Sequence, residues 1–292
     1  MNNLSLGNPA SWPAPAKLNL FLHIVGRRAD GYHLLQTAFQ FVDLCDELRF
    51  YQRPAGVIER LSGADAVPPE QDLVIRAARL LANQCGEQCG VAIELIKHIP
   101  MQAGLGGGSS DAATTLVALN QLWSLNLSVD QLAELGLKLG ADVPVFVRGR
   151  AAWAEGVGEQ LTPVDFPETP FLVIQPPVSV STAEIFQSSE LTRDTPVTTI
   201  RAFRAEGGRN DCTSVVRTRY PAVAQALDWL GQYGEAKLTG TGACVFAGCT
   251  DLEQAVRVNA QLPAALGRGY VVKGINHSPL QARLQQERAQ QV

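Results

Sequence analysis

The chain has 292 residues, 46% of them hydrophobic and 18% charged, which is long and apolar enough to bury a core without disulfide or metal staples. A formal net charge of -4 excludes disorder and argues against a general nucleic-acid-binding surface. No run approaches the ~20 apolar residues of a membrane helix, and Met1 to Lys17 holds no basic patch followed by an apolar stretch, so a cytoplasmic protein with no membrane and no nucleic-acid partner is expected.

The first strong element is Lys17 to Val25, where Leu18, Leu20, Leu22 and Ile24 alternate with Lys17, Asn19, Phe21 and His23. That is the period of a strand. It predicts one aliphatic face toward a core and an opposite face carrying Lys17, Asn19 and His23 together. Gly26 to Tyr32 reads as a loop with Asp30-Gly31 as its turn, and Phe39 to Phe50 has strand composition. Asp72 to Gln84 reads as a helix, with Leu73, Ala77, Leu80 and Leu81 on one stripe. Val91 to Ile99 alternates again. Next comes Pro100 to Asp111, in which Gly104, Gly106, Gly107 and Gly108 fall within five consecutive positions. Ala112 to Trp123 is rich in Ala and Leu and predicts a helix, with Ser109 or Ser110 as its cap. Val129 to Leu139 is a second helix, opened by a capping box of Ser128 and Gln131 and stopped by Gly140. Asp142 then precedes Pro144 and the apolar stretch Val143 to Val147, and short strands follow through Val164.

The pattern restarts with a short strand at Phe171 to Ile174 and a helix at Ser181 to Phe186. Tyr220 to Tyr233 and Leu252 to Gln261 read as helices, and Ala236 to Leu238, Cys244 to Ala247 and Gly269 to Ile275 as strands. Gln285 to Val292 reads as a polar, frayed tail. The proline-rich segments Pro163 to Pro170 and Pro176-Pro177 mark the best boundary, so two α+β domains are expected, residues 1–165 and 166–292. The cysteines, Cys45, Cys85, Cys89, Cys212, Cys244 and Cys249, lack the spacing of zinc or redox motifs and are expected to be free thiols; no metal-binding residue is assigned.

A strand, a glycine-rich loop and a helix in succession expose backbone N–H groups to a phosphate, and the helix N-terminus adds a partial positive charge. A P-loop needs a lysine directly after its last glycine, but Ser109 follows Gly108. A dinucleotide fingerprint running from Gly104 and Gly106 requires glycine where Ser109 stands, and one running from Gly240 and Gly242 requires it at Val245.

The block Pro-Met-Gln-Ala-Gly-Leu-Gly-Gly-Gly-Ser-Ser-Asp at 100–111 closely resembles the nucleotide loop of the GHMP kinases (galactose, homoserine, mevalonate and phosphomevalonate kinases). Further blocks narrow the resemblance: Pro15-Ala-Lys-Leu-Asn-Leu-Phe-Leu22 with Arg28-Ala-Asp-Gly-Tyr-His33, Gly140-Ala-Asp-Val-Pro-Val-Phe146, and Leu238-Thr-Gly-Thr-Gly-Ala-Cys-Val-Phe246. They are similar to members that phosphorylate the 2-hydroxyl of a cytidine-diphosphate-linked methylerythritol, using ATP and Mg²⁺, on the non-mevalonate route to isoprenoid precursors. The resemblance implies the two-domain α+β GHMP kinase fold, an active site in the interdomain cleft, and a small-molecule substrate bearing a cytidine diphosphate group. A monomer or weak homodimer is expected.

On that resemblance Pro100, Met101, Gln102, Ala103, Gly104, Leu105, Gly106, Gly107, Gly108, Ser109 and Ser110 bind the nucleotide. A hydroxyl needs somewhere for its proton to go, and Asp142 is the candidate base; taken alone it could be a turn-forming aspartate. Lys17, which taken alone could be a solvated edge residue, is the partner that keeps the carboxylate ionised and offsets charge on the transferred phosphoryl. Tyr32 and Phe186 match stacking positions for a cytosine ring, His33 a contact to its edge, and Thr182 a position near substrate. Core packing is the alternative for the aromatic residues. Asn19 is assigned to substrate or phosphate, and Gly240, Thr241 and Gly242 to a second backbone nest, with a tight hairpin turn as the alternative. Two departures stand out: Gln102 where the family commonly has glycine, and Thr239 where serine is frequent. Another GHMP kinase, a decarboxylase relative, and a non-catalytic RNA-contacting protein of the same fold are the rivals. Tyr32, His33 and Phe186 weigh against the first two, and the acidic balance with Lys17 and Asp142 against the last.

Overall fold

The alternation of the first strand becomes one half of a long hairpin. In the computed structural model, which describes residues 9–63, 67–84 and 89–290, β1 (Trp12–Arg27) runs antiparallel to β2 (His33–Gln52). Then follow β3 (Ile58–Ser62), α1 (Leu73–Ala82), β4 (Val91–Ile96), α2 (Gly107–Leu122), α3 (Val129–Leu137), α4 (Val143–Arg148), β5 (Ala152–Glu155) and β6 (Gln160–Pro163). The second half holds β7 (Pro170–Gln175), α5 (Thr182–Gln187), α6 (Ile200–Glu206), α7 (Thr213–Arg219), α8 (Pro221–Leu230), β8 (Lys237–Leu238), β9 (Val245–Gly248), α9 (Leu252–Ala260), β10 (Arg268–Ile275) and α10 (Pro279–Gln290).

The strands run β3-β4-β2-β10-β7-β9-β8, with β1 and β5 also on β2 and β6 on β5. β10 is the seam: it pairs with β7 over most of its length and with β2 at Gly274 and Ile275. One core lies on the first half, with Trp12, Phe41, Leu48, Ile93, Leu116 and Phe146, and another on the second half, with Leu172, Ile174, Ile185, Val216, Leu227 and Val245. A third cluster joins them through Leu18, Val42, Leu105, Phe171 and Phe246. Among the described residues no helix is long and apolar enough to cross a membrane.

Three expectations change. The strict alternation of β1 breaks at a bulge between Asn19 and Leu22, where β1 carries one more residue than β2. Past the bulge the faces exchange. Leu22 joins the face of Lys17 and Asn19, Phe21 enters an aromatic cluster with Trp153, Phe166 and Phe203, and His23 lies edge-on to Phe21 at 4.9 Å, away from the other two polar residues. The helix expected from Ala112 begins at Gly107, with Gly106 as N-cap in the left-handed region and no side-chain cap bond, so Ser109 and Ser110 lie in its first turn and cap nothing. The residues expected to fray as far as Gln290 belong to α10; residues 291–292 of that tail lie outside the described ones. Leu280 and Leu284, one turn apart, bury into the first core, while Arg283 stacks on Trp12 at 4.6 Å and donates to the Ser11 carbonyl at 3.2 Å.

Candidate active site

The glycine loop is held from below. Asp46 on β2 accepts from the His98 and Ile99 amides at 2.6 and 2.8 Å, and Lys97 bridges Asp46 to Asp111, the fifth residue of α2. This ties the end of β4 to the start of the helix across the loop. Burial pushes the Asp111 carboxyl up against the pull of Lys97.

The loop backbone then enters the left-handed region at Gln102 (φ 53°), Gly104 (φ 75°) and Gly106 (φ 74°). A Cβ on Gly104 would stand 2.2 Å from the Thr239 carbonyl oxygen, and one on Gly106 2.8 Å from the Phe146 ring. The glycine that the resemblance implies at position 102 would meet that dihedral without the strain Gln102 carries. The first helical bond of α2 runs from the Ser110 amide to Gly106 O at 2.8 Å, so the amides before it are left to a ligand or to water.

Two cavities share the loop as a wall. One, of about 340 Å³, is lined by Gln71, Leu73, Leu95, Lys97 and the loop from Pro100 to Ser109. The other, of about 680 Å³, lies between the two halves of the chain and brings together Lys17, Asn19, Tyr32, His33, Asp142, Thr182, Phe186, Gly240 and Thr241. Gly104, Gly106 and Ser109 border both. Gly242 borders neither: it ends the turn between β8 and β9, its amide bonded to Thr239 O at 3.0 Å. That turn is therefore both a tight hairpin and, through Gly240 and Thr241, a cavity wall. Ser110 is fully buried with its hydroxyl unpartnered, as is Oδ1 of Asp111.

Lys17 is 3% exposed, and its ammonium makes two hydrogen bonds and one ion pair. Nζ reaches Asn19 Oδ1, the Gly104 carbonyl at 3.0 Å and Asp142 Oδ2 at 3.4 Å. Asp142 takes the N-cap position of α4, yet its carboxylate makes no cap bond and turns to Lys17, with a third of the side chain open to the cavity. Asn19 donates to Thr37 Oγ1 at 2.9 Å. The Thr239 hydroxyl accepts from the Asn19 amide at 3.0 Å and donates to Gly104 O at 3.1 Å, so the second-half turn is bonded to both β1 and the loop. Thr182 and Thr241 share a hydrogen bond at 2.8 Å across the cavity mouth.

At the far end, His33 stacks on Phe186 with centroids 5.0 Å apart, and Tyr32 stands 65% exposed at the hairpin turn. Burial, then Arg193 and Arg27, lowers the His33 pKa below 6.5. The free thiols sit away from both cavities; burial pushes Cys212 up to about 12, so it stays protonated. Cys85 lies outside the described residues.

Sequence reading missed Thr37, Lys97, Asp111, Arg193 and Leu22. Lys97 and Asp111 flank the glycine loop and could have been suspected. Arg193 sits 160 residues from His33 with no local signal, and Leu22 faces the cavity only because of the bulge.

The models of the GHMP kinases N terminal domain and GHMP kinases C terminal match residues 72–150 and 197–268. The chain is 58% identical over 269 residues to a protein of Nitrosococcus oceani named 4-diphosphocytidyl-2-C-methyl-D-erythritol kinase, covering 92% of this chain and 96% of that one. A protein of Pseudomonas syringae pv. syringae with the same name is 56% identical, covering 94% and 96%. A solved structure of 4-(cytidine 5'-diphospho)-2C-methyl-D-erythritol kinase superposes with a TM-score of 0.79 at 32% identity, over 91% of this chain and 99% of that one. A mevalonate kinase structure, at 16% identity and a TM-score of 0.66, shares the fold.

Proposed function

The chain belongs to the GHMP kinase family, within its 4-diphosphocytidyl-2-C-methyl-D-erythritol kinases, and we propose that it transfers the γ-phosphoryl of ATP directly to the 2-hydroxyl of that cytidine-linked alcohol, on the non-mevalonate route to isoprenoid precursors. One observation carries the mechanism. The Lys17–Asp142 pair lies on the large cavity beside Gly104, Gly106 and Ser109, the residues that also border the small one. A nucleotide on the loop and an acceptor in the cavity therefore meet at this pair.

Asp142 takes the proton of the attacking hydroxyl as the oxygen bonds to phosphorus. Its carboxylate is free for this because the N-cap bond is not made. Lys17, anchored by Asn19 and Gly104 O, pairs with that carboxylate and faces the charge of the transferring group. The rigid anchoring places that charge in advance, so little rearrangement is needed during transfer. The cytosine ring lies at the His33 and Phe186 end, with Tyr32 closing on it from the exposed turn.

The amides ahead of the first helical bond of α2, which runs from Ser110 N to Gly106 O, fit the phosphates of ATP. For Mg²⁺, no cluster of three or more acidic, His or Cys side chains exists among the described residues, whereas the unpartnered oxygens of Ser110 and Asp111 near the start of α2 suit an ion held mainly by phosphate oxygens and water. When bound, the ion neutralises phosphate charge. ADP release should be strong with the cytidine-linked alcohol and at background with mevalonate and homoserine. Turnover of mevalonate without the cytidine compound would overturn the assignment.

A further inference from the structure

His33 has one polar partner among the described residues. Arg193, in the segment after α5, donates Nε–H to His33 Nε2 at 3.1 Å. Three of the guanidinium's four other N–H groups are also engaged: Nη1 donates to Leu191 O at 3.0 Å, and Nη2 to Phe186 O at 2.9 Å and Ser188 O at 2.6 Å. One side chain thus fixes both the imidazole and the backbone that carries its stacking partner.

An arginine has no acceptor, so the ring nitrogen facing it must be the lone pair. A neutral imidazole then carries its proton on Nδ1, which has no partner among the described residues. We propose that Arg193 is a specificity-positioning residue: it locks the His33 proton on Nδ1, so that the cavity offers a fixed N–H donor to N3 of cytosine and turns away uracil. Cytosine N3 is an acceptor, whereas uracil carries N–H there and would set donor against donor. The inference rests on reading the cavity as the cytidine site. The groups facing His33 agree with it: Arg193 and Arg27 both oppose a positive ring, and among the described residues no carboxylate is hydrogen-bonded to it.

The test uses the full chain with its nucleotide loop filled by a non-hydrolysable ATP analogue. Two-bond ¹H–¹⁵N correlation spectra of the wild type should show His33 as the Nδ1–H tautomer, and an Nε2–H tautomer overturns the proposal without any variant. Titration should show cytidine diphosphate binding about 10- to 100-fold tighter than uridine diphosphate. In Arg193→Gln, whose amide can donate or accept, that ratio should fall to within about threefold. A merely structural Arg193 would weaken both ligands together and leave the ratio intact, which overturns the proposal. If cytidine diphosphate does not bind the wild type while ATP does, the cytidine reading itself fails and the specificity claim with it. A preserved ratio with cytidine diphosphate bound removes the specificity claim alone.

Discussion

Replacing Gly104 by alanine tests the shared-wall geometry at its tightest point. The new Cβ would lie 2.2 Å from the Thr239 carbonyl oxygen and 3.1 Å from Gly242 O. Ordinary contact needs ~3.4 Å, so backbone must move by about 1 Å. The φ of 75° adds strain of its own, about 1–2 kcal/mol for an L-residue. The movement falls on an atom with two tasks: Gly104 O accepts from Lys17 Nζ at 3.0 Å and from Thr239 Oγ1 at 3.1 Å. Displacing it moves Lys17 relative to Asp142 and loosens the turn that lines the cavity. A misplacement of ~1 Å costs on the order of 10²-fold in rate, and the strain lowers Tm by about 2–8 °C. A coupled ADP-release assay at saturating substrates and a thermal melt read the two effects. If Gly104→Ala keeps kcat within threefold and Tm within a degree, the loop does not carry the tight contact described above.

Asp142→Asn should lower kcat by about 10²- to 10⁴-fold with little change in KM for ATP; near-normal kcat would remove Asp142 as the base. Gln102→Gly relieves the φ of 53° at the cost of glycine's chain entropy, a net gain of up to about 1 kcal/mol, so Tm should rise or hold; a clear fall in Tm would contradict the strain assigned there. Because burial, Arg193 and Arg27 lower the His33 pKa below 6.5, the ring stays neutral above that pH. The folded state disfavours its proton, so its contribution to stability is present above pH 6.5 and is lost as pH falls toward the lowered value. KM for the cytidine-linked substrate should be flat from pH 8 to 6.5 and rise only at lower pH; a rise already between pH 8 and 7 would refute the shift. Leu280→Ala, at a fully buried site, should cost about 2–5 kcal/mol in chemical denaturation, and an unchanged midpoint would mean that α10 does not belong to the first core.

What the residues determine by themselves is local. Period two announced β1 and β4, and the capping box at Ser128 and Gln131 is formed as read, with hydrogen bonds in both directions. The glycines of the loop announced a backbone that L-residues resist, and φ and Cβ clearance at Gly104 and Gly106 give the reason. The resemblance of the motif blocks named Lys17, Asp142, Tyr32, His33 and Phe186, and the fold sets them on one cavity.

Other features were decided only in three dimensions. The bulge in β1 depends on pairing with β2, and it moved Leu22 to the cavity and His23 away from it. Gln285 to Val292 looked like a frayed tail because the leucines that anchor its helix lie just ahead of it, at Leu280 and Leu284, and say little until a core is there to receive them. Thr239 meets Asn19 across 220 residues of chain, and Arg193 meets His33 across 160. Dihedral preference and side-chain period act between neighbours and are therefore written in short stretches of sequence. Which distant side chains share a hydrogen bond depends on how sheets and helices pack, and short stretches of sequence do not specify that packing.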